Sequence, residues 1–223
     1  MNTRYIKDMR GITLDILDEW RDRLAAVGLD DFDRLLAFRG GKCCSEHPRG
    51  ATWRTTLPGG EVIFVKQDYY TKFQPVLRAL VRLRRPQTNT EKECAHIAQA
   101  AAMGFRVPLV IAHSRHDWWR WPSCGVMVEL ALEGRPLDVY LAATEPTAEE
   151  KERALANARN VLTRLQDAGL DWGRDCKPEH FMVGPRQEIA LLDLERLYLR
   201  RAPLSPEKRA AQFARFDSLL PKG

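Results

Sequence analysis

The sequence predicts an α+β chain of two lobes, a small β-rich lobe followed by a helical one. Three observations carry this. Residues 53–57 and 62–66 are β-prone runs on either side of Pro58-Gly59-Gly60, the composition of a hairpin. From Thr147-Ala148-Glu149-Glu150, a capping box, apolar residues recur at helical spacing. Between these parts, Glu133-Gly134-Arg135-Pro136 reads as a connector.

The elements follow in order. Residues 12–37 carry Leu14, Ile16, Leu17, Trp20, Leu24 and Leu35, which predicts helix and hence a helical N-terminal extension over about 1–37. The β-rich lobe then spans about 38–130. After its hairpin, Thr90-Glu91-Lys92-Glu93 fits a capping box, and Ile97, Ala98, Ala101 and Ala102 form an apolar stripe that stops at Gly104. Residues 107–112 and 125–130 are predicted strands. The helical lobe spans about 131–223. Its long helix buries Leu155, Ala158, Leu162 and Leu165 and stops at Gly169. Two short strands, 180–183 and 189–192, follow around Gly184-Pro185. A cleft between the lobes is the expected place for a site.

Composition narrows the class. The chain has 223 residues, 44% hydrophobic and 29% charged, as in ordinary globular proteins. Its apolar runs fall short of the roughly 18 residues a membrane span needs. Charge at Arg4, Lys7 and Asp8 stands where a signal peptide has its apolar core, so a cytoplasmic location is expected. Cys43, Cys44, Cys94, Cys124 and Cys176 form no CxxC pair and are odd in number, which predicts reduced, mostly buried thiols. The net charge of +5 favours an anionic partner, yet no nucleic-acid motif is present and none is expected as ligand. Residues 72–85 concentrate this charge in Lys72, Arg78, Arg82, Arg84 and Arg85, with no acid between Asp68 and Glu91. Leu77, Leu80, Val81 and Leu83 add apolar surface. The stretch suits an anionic membrane surface, and equally a solvated helix face packed on the small lobe.

The pattern of charged residues points to phosphoryl transfer. That chemistry needs a lysine for the nucleotide phosphates, a carboxylate to fix it, a carboxylate for the attacking hydroxyl and another for the metal. Lys66 ends the apolar strand Val62-Ile63-Phe64-Val65. Glu93 lies in the next helix and fits the lysine's partner, with Glu91 as rival. In Asp175-Cys176-Lys177-Pro178-Glu179-His180, Asp175, Lys177 and His180 have the spacing of a kinase catalytic loop. Asp193 follows the apolar strand 189–192, where a metal-binding aspartate belongs. Alone, each aspartate would pass for a turn or cap residue; together, each beside an apolar strand, they form a set.

On these residues the chain resembles the lipopolysaccharide kinases, the family of core heptose kinases and Kdo kinases with a protein-kinase-like fold. The resemblance runs from about residue 53 to 196. Its marks are Phe64-Val65-Lys66-Gln67 with Tyr69 and Tyr70, and Arg84-Arg85-Pro86. Lys92-Glu93, Gly104-Phe105-Arg106-Val107-Pro108, Arg174-Asp175 with His180-Phe181, and Leu192-Asp193-Leu194 complete them. It implies a two-lobed protein-kinase-like fold using ATP and Mg²⁺. Lys66 would hold the α- and β-phosphates with Glu93 as its partner, and Asp175 would be the catalytic base beside Lys177. Asp193 and His180 would bind the metal, and backbone at Glu129 and Ala131 would meet adenine. The acceptor would be a sugar hydroxyl, heptose or Kdo, on an anionic glycolipid at the cytoplasmic face of the inner membrane, which residues 72–85 would suit. The same catalytic parts would also serve a kinase of another small molecule or of protein, or persist in a silent kinase-like binding module. The chain departs from the pattern in having no GxGxxG loop, in Gly173 two before Asp175, and in Leu194-Glu195 after Asp193.

Overall fold

The computed structural model describes residues 3–7, 11–71, 73–81, 83, 85–117 and 124–221. The chain divides into two compact units, Met1–Ala95 with Leu109–Ala131, and His96–Pro108 with Leu132–Gly223.

The first unit opens with strands β1 (Thr3–Lys7) and β2 (Ile12–Leu17) and helices α1 (Asp18–Ala25) and α2 (Phe32–Ala37). Strands β3 (Lys42–His47), β4 (Gly50–Thr56) and β5 (Val62–Asp68) follow, then helices α3 (Phe73–Val81) and α4 (Asn89–Ala102) and strands β6 (Val110–His116) and β7 (Gly125–Leu130). The strands form one antiparallel sheet in the order β1-β2-β6-β7-β5-β4-β3. The helix expected over 12–37 is therefore corrected at its start. Ile12, Leu14 and Ile16 alternate, the period of a strand, and all three are buried where β2 pairs with β6. Leu14, Leu17, Trp20 and Leu24 also fit helical spacing, but helix begins only at Asp18. Residues before 38 thus supply two sheet strands as well as two helices, and they are no helical extension. Trp20, Leu24 and Leu35 pack with Ile16, Ile63, Val65 and Val128 as one core. At roughly 25 cal/mol per Å², burying such side chains is the main force holding these helices to the sheet.

The expected hairpin is β4–β5, closed by the Leu57 N–H donating to Glu61 O at 2.8 Å. At its base Gly50 lies so close to β5 that a Cβ there would fall 2.3 Å from Gln67 O. The strand expected at 107–112 begins instead at Val110, because Pro108 lacks the N–H a ladder needs. The burial part of the cysteine expectation fails: Cys43 and Cys44 are exposed on edge strand β3, Cys94 and Cys124 are half-buried, and of the five only Cys176 is buried, though none of them is in a disulfide.

In the second unit α4 ends at Gly104, whose φ of 78° is followed by the Phe105 N–H bonding Ala100 O at 3.0 Å. The connector at 133–136 supplies strand β8 (Arg135–Pro136), followed by helices α5 (Leu137–Ala142) and α6 (Ala148–Asp167). The capping box of α6 is complete: the Thr147 N–H donates to Glu150 Oε2 at 2.8 Å, and the Glu150 N–H to Thr147 Oγ1 at 3.2 Å. Strands β9 (Leu170–Asp171), β10 (Phe181–Val183), β11 (Ile189–Leu191) and β12 (Tyr198–Leu199) and helix α7 (Pro206–Ser218) complete the unit. They pair as β11-β10-β8 and β12-β9. Trp172, Phe181 and Phe216 stack in series, with ring centroids 5.4 and 5.2 Å apart, and fix the loop from 172 to 180 on α7.

Candidate active site

Strand β5 carries Lys66 on the face opposite its buried Ile63 and Val65. The Lys66 ammonium lies 2.6 Å from Glu93 Oε1 and 3.0 Å from Glu129 Oε1, so two carboxylates hold one cation. Burial alone would lower the pKa of Lys66; the charges of Glu93 and then Glu129 outweigh it and raise it well above the lysine range. The lysine is charged at every physiological pH. Glu93 reaches Lys66 because the capping box at the start of α4 is not the expected one. Thr88 and Glu91 form it: the Thr88 N–H donates to Glu91 Oε2 at 2.8 Å, and the Glu91 N–H to Thr88 Oγ1 at 3.1 Å. Glu91, the rival partner, is further occupied by Arg85 at 2.9 Å and by the His116 N–H at 2.9 Å.

Glu129 was expected to offer backbone, and this is corrected. Its backbone lies inside the sheet between Phe64 and Val110, and it is the side chain that reaches Lys66. The Ala131 N–H likewise donates to Val62 O at 2.9 Å and is not a free donor for adenine.

The second unit supplies the other group of residues. Asp175 ends a single helical turn, residues 173–175, and is nine-tenths buried. Lys177 lies 3.4 Å and Arg196 3.7 Å from Asp175 Oδ1, and Lys177 also pairs with Glu179 at 3.0 Å. The bond to Glu179, and then the charge of Asp175, raise the pKa of Lys177. His180 is buried, with Nε2 at 3.5 Å from Asp193 Oδ2 and its ring 5.5 Å from that of Trp172. Burial outweighs the neighbouring acids and lowers the His180 pKa, which favours the neutral, ligating imidazole. Asp193 adopts a left-handed backbone with φ of 53°, uncommon for a residue with a Cβ. This bend turns the chain after β11, and the Trp172 indole N–H donates to Asp193 O at 3.3 Å across it.

Each of Asp175, His180 and Asp193 offers one ligand atom, all within 4.8 Å of one another. Two carboxylates and an imidazole at that spacing fit a divalent cation, and His180 Nδ1 is buried with no hydrogen-bond partner among the described residues. Gly173 has a φ of 56°, so its place suits glycine by backbone conformation. Its N–H donates to Asp171 Oδ1 at 2.9 Å. Sequence reasoning missed Arg196, which follows Asp193 by three residues and carries no motif of its own.

Residues 40–216 match the lipopolysaccharide kinase (Kdo/WaaP) family. The chain belongs to that family. No curated protein sequence matches it. Among solved structures, the chain is similar to that of WaaP in complex with acyl carrier protein, with a TM-score of 0.64 and 20% identity over 96% of this chain and 80% of the other. The likeness establishes the protein-kinase-like fold of this Kdo/WaaP family member, and its family is one of lipopolysaccharide kinases.

Proposed function

We propose that this chain transfers the γ-phosphate of ATP to a sugar hydroxyl, on heptose or Kdo, in the inner core of lipopolysaccharide. The observation that carries the reading is the set Asp175, His180 and Asp193, held within 4.8 Å on one unit of a Kdo/WaaP family chain. Asp175 accepts the proton of the attacking hydroxyl, and Lys177 beside it offsets the charge on the transferred group. Lys66, fixed by Glu93 and Glu129, neutralises the nucleotide phosphates. Asp193 and His180 would hold Mg²⁺, which supplies charge neutralisation of the phosphates when bound. The residues need only bring hydroxyl and phosphate together in line, since positioning alone is worth several kcal/mol.

Membrane contact through residues 72–85 belongs to the same reading. Among the described residues no helix is long and apolar enough to cross a membrane. Helix α3 instead exposes Phe73, Leu77, Leu80 and Val81, and Leu83 beyond it is 89% exposed. Arg78 lies exposed on the same helix, whereas Arg85 is turned onto Glu91 and His116 O. Lys72, Arg82 and Arg84 lie outside the described residues. Among the described residues this surface joins exposed apolar side chains to Arg78, and it suits shallow insertion into an anionic leaflet.

The test is transfer of labelled phosphate from Mg²⁺-ATP to core glycolipid prepared from a strain lacking the gene. Wild-type protein labels it and restores the phosphate missing from its mass spectrum. Asp175→Ala binds ATP and transfers none. Full transfer by that variant, or no transfer by wild type to any core glycolipid, overturns the reading.

A further inference from the structure

Away from the lysine and metal groups, the second unit contains a cavity of about 520 Å³ between the loop preceding Asp175 and the exposed side of α7. Its lining includes Arg174, Arg200, Lys208 and Arg215, four cations, against a single carboxylate, Asp171. That carboxylate is buried and fully engaged. Its Oδ1 accepts from the Gly173 N–H at 2.9 Å and from Gln212 Nε2 at 2.8 Å, while its Oδ2 accepts from Arg200 Nε at 2.9 Å. Lys208 stands 3.5 Å from the same oxygen. Burial would raise the Asp171 pKa, but Arg200 and the Gly173 N–H lower it, so it stays charged and anchors the floor.

Arg174 and Arg215 are different. Neither side chain has a hydrogen bond or ion pair among the described residues, and both are exposed. The one carboxylate therefore serves two of the four cations, Arg200 and Lys208, and the guanidinium groups of Arg174 and Arg215 keep all their donors. Guanidinium forks match the planar or tetrahedral oxygens of carboxylate and phosphate. Structural need does not account for them, since like charges gathered on one wall repel and no ion pair among the described residues holds Arg174 or Arg215. Position adds a second argument. Arg174 is the residue before Asp175, and Arg215 also lines a neighbouring hollow with Lys177 and Glu179. That hollow also holds the carboxylate Asp138, so the excess of positive charge is confined to the first cavity, which adjoins the loop that carries the proposed base.

We infer that this cavity binds an oxyanion, carboxylate or phosphate, carried by the acceptor glycan, and so sets which hydroxyl reaches Asp175. The inference rests on the kinase reading for its role, and on the cavity alone for its chemistry. An anchor some sugar residues from the reacting hydroxyl converts binding energy into orientation and selects charged acceptors over neutral ones.

The experiment uses the full chain and deacylated inner-core oligosaccharide in three forms: native, dephosphorylated, and dephosphorylated with its carboxyl groups reduced. Binding is measured by isothermal titration for wild type, for Lys208→Gln/Arg215→Gln and for Arg174→Gln. Each lost charge-assisted hydrogen bond is worth about tenfold. Native oligosaccharide is expected to bind the double variant roughly 100-fold and Arg174→Gln about tenfold more weakly, while the neutral form binds wild type no better than native binds the double variant. Loss of affinity on dephosphorylation assigns the anion to phosphate, and loss only on carboxyl reduction assigns it to carboxylate. Failure of wild type to bind native oligosaccharide overturns the inference. So does equal binding by variants and wild type, or by neutral and native forms. If either α7 substitution prevents folding, Arg174→Gln decides the question alone. Absence of phosphate transfer by wild type would sink the kinase reading instead, and the titration would still judge the cavity.

Discussion

Lys66→Met is expected to cost stability as well as activity. In the first unit the lysine is the shared partner of two carboxylates, at 2.6 Å from Glu93 and 3.0 Å from Glu129, whose side chains are only 7% and 5% exposed. Removing the cation leaves both acids buried and facing one another. Breaking a buried ion pair from one side costs about 3–5 kcal/mol. A chain of this size loses roughly 2–4 °C of melting temperature per kcal/mol, so a fall of about 10 °C is expected. Because the Lys66 pKa is raised, its contribution is complete below the ordinary lysine value near ~10.4 and is lost only as pH rises through the raised one. An assay at neutral pH therefore sees all of it. Glu129→Gln alone keeps the Lys66–Glu93 pair and should cost about 1 kcal/mol. Added to Lys66→Met, it removes one of the two stranded charges and should restore stability by at least about 1 kcal/mol, a coupling that a double-mutant cycle by circular-dichroism melting measures. A Lys66→Met protein that melts with wild type, or that gains nothing from Glu129→Gln, would refute the two-carboxylate clamp.

Three further outcomes follow from other parts of the chain. Asp193→Ala should abolish the extra thermal stabilisation that Mg²⁺ adds to ATP while leaving some stabilisation by ATP alone; an undiminished Mg²⁺ effect would remove Asp193 from the metal set. His116 is buried, which lowers its pKa, but Cys124 and Glu91, the latter 3.6 Å away, raise it to about 9. Its stabilising charge is fully present below the ordinary value of ~6.5 and lost as pH rises through about 9, so the wild-type stability read by chemical denaturation should fall by roughly 2–3 kcal/mol over that interval. His116→Gln should flatten this slope, and a slope unchanged in the variant would assign it elsewhere. Leu77→Asp/Leu80→Asp on the exposed face of α3 should reduce sedimentation with phosphatidylglycerol-containing vesicles by at least about tenfold, given about 1.5–3 kcal/mol per buried leucine. Equal sedimentation would show that α3 does not touch the membrane.

What the sequence revealed and what it withheld can be traced to particular residues. The hairpin and the helix from Thr147 are legible because turn glycines and a capping box are local signals, and local chemistry is enough to form them. Strand β3 is not legible: Lys42-Cys43-Cys44-Ser45-Glu46-His47 is an exposed edge strand with no buried face, so no alternation marks it. The start of α4 contains two overlapping capping frames, Thr88 to Glu91 and Thr90 to Glu93, between which spacing cannot choose. Tertiary contacts do. Asp68 takes the Thr90 N–H at 2.7 Å, and Arg85 takes Glu91 at 2.9 Å, which leaves Glu93 for Lys66. The pairing of Glu129 with Lys66 needed the register of β5 on β7. Lys66 lies opposite Met127 and Phe64 opposite Glu129, which puts Lys66 and Glu129 on one face.

Gly173 shows how a departure from pattern can be a change of means. As a residue type it offers no side chain with which to hold the loop. At φ of 56° it adopts a bend that a larger residue would strain, and its N–H is fastened to the buried Asp171. Asp171 is in turn fixed by Arg200 and Gln212. The turn before Asp175 is thus held through its backbone and a carboxylate from the preceding strand, so loss of a side chain at 173 does not by itself argue for a silent site. The same carboxylate holds Arg200 in the cationic wall, so one buried acid shapes both the loop bearing the proposed base and the cavity beside it.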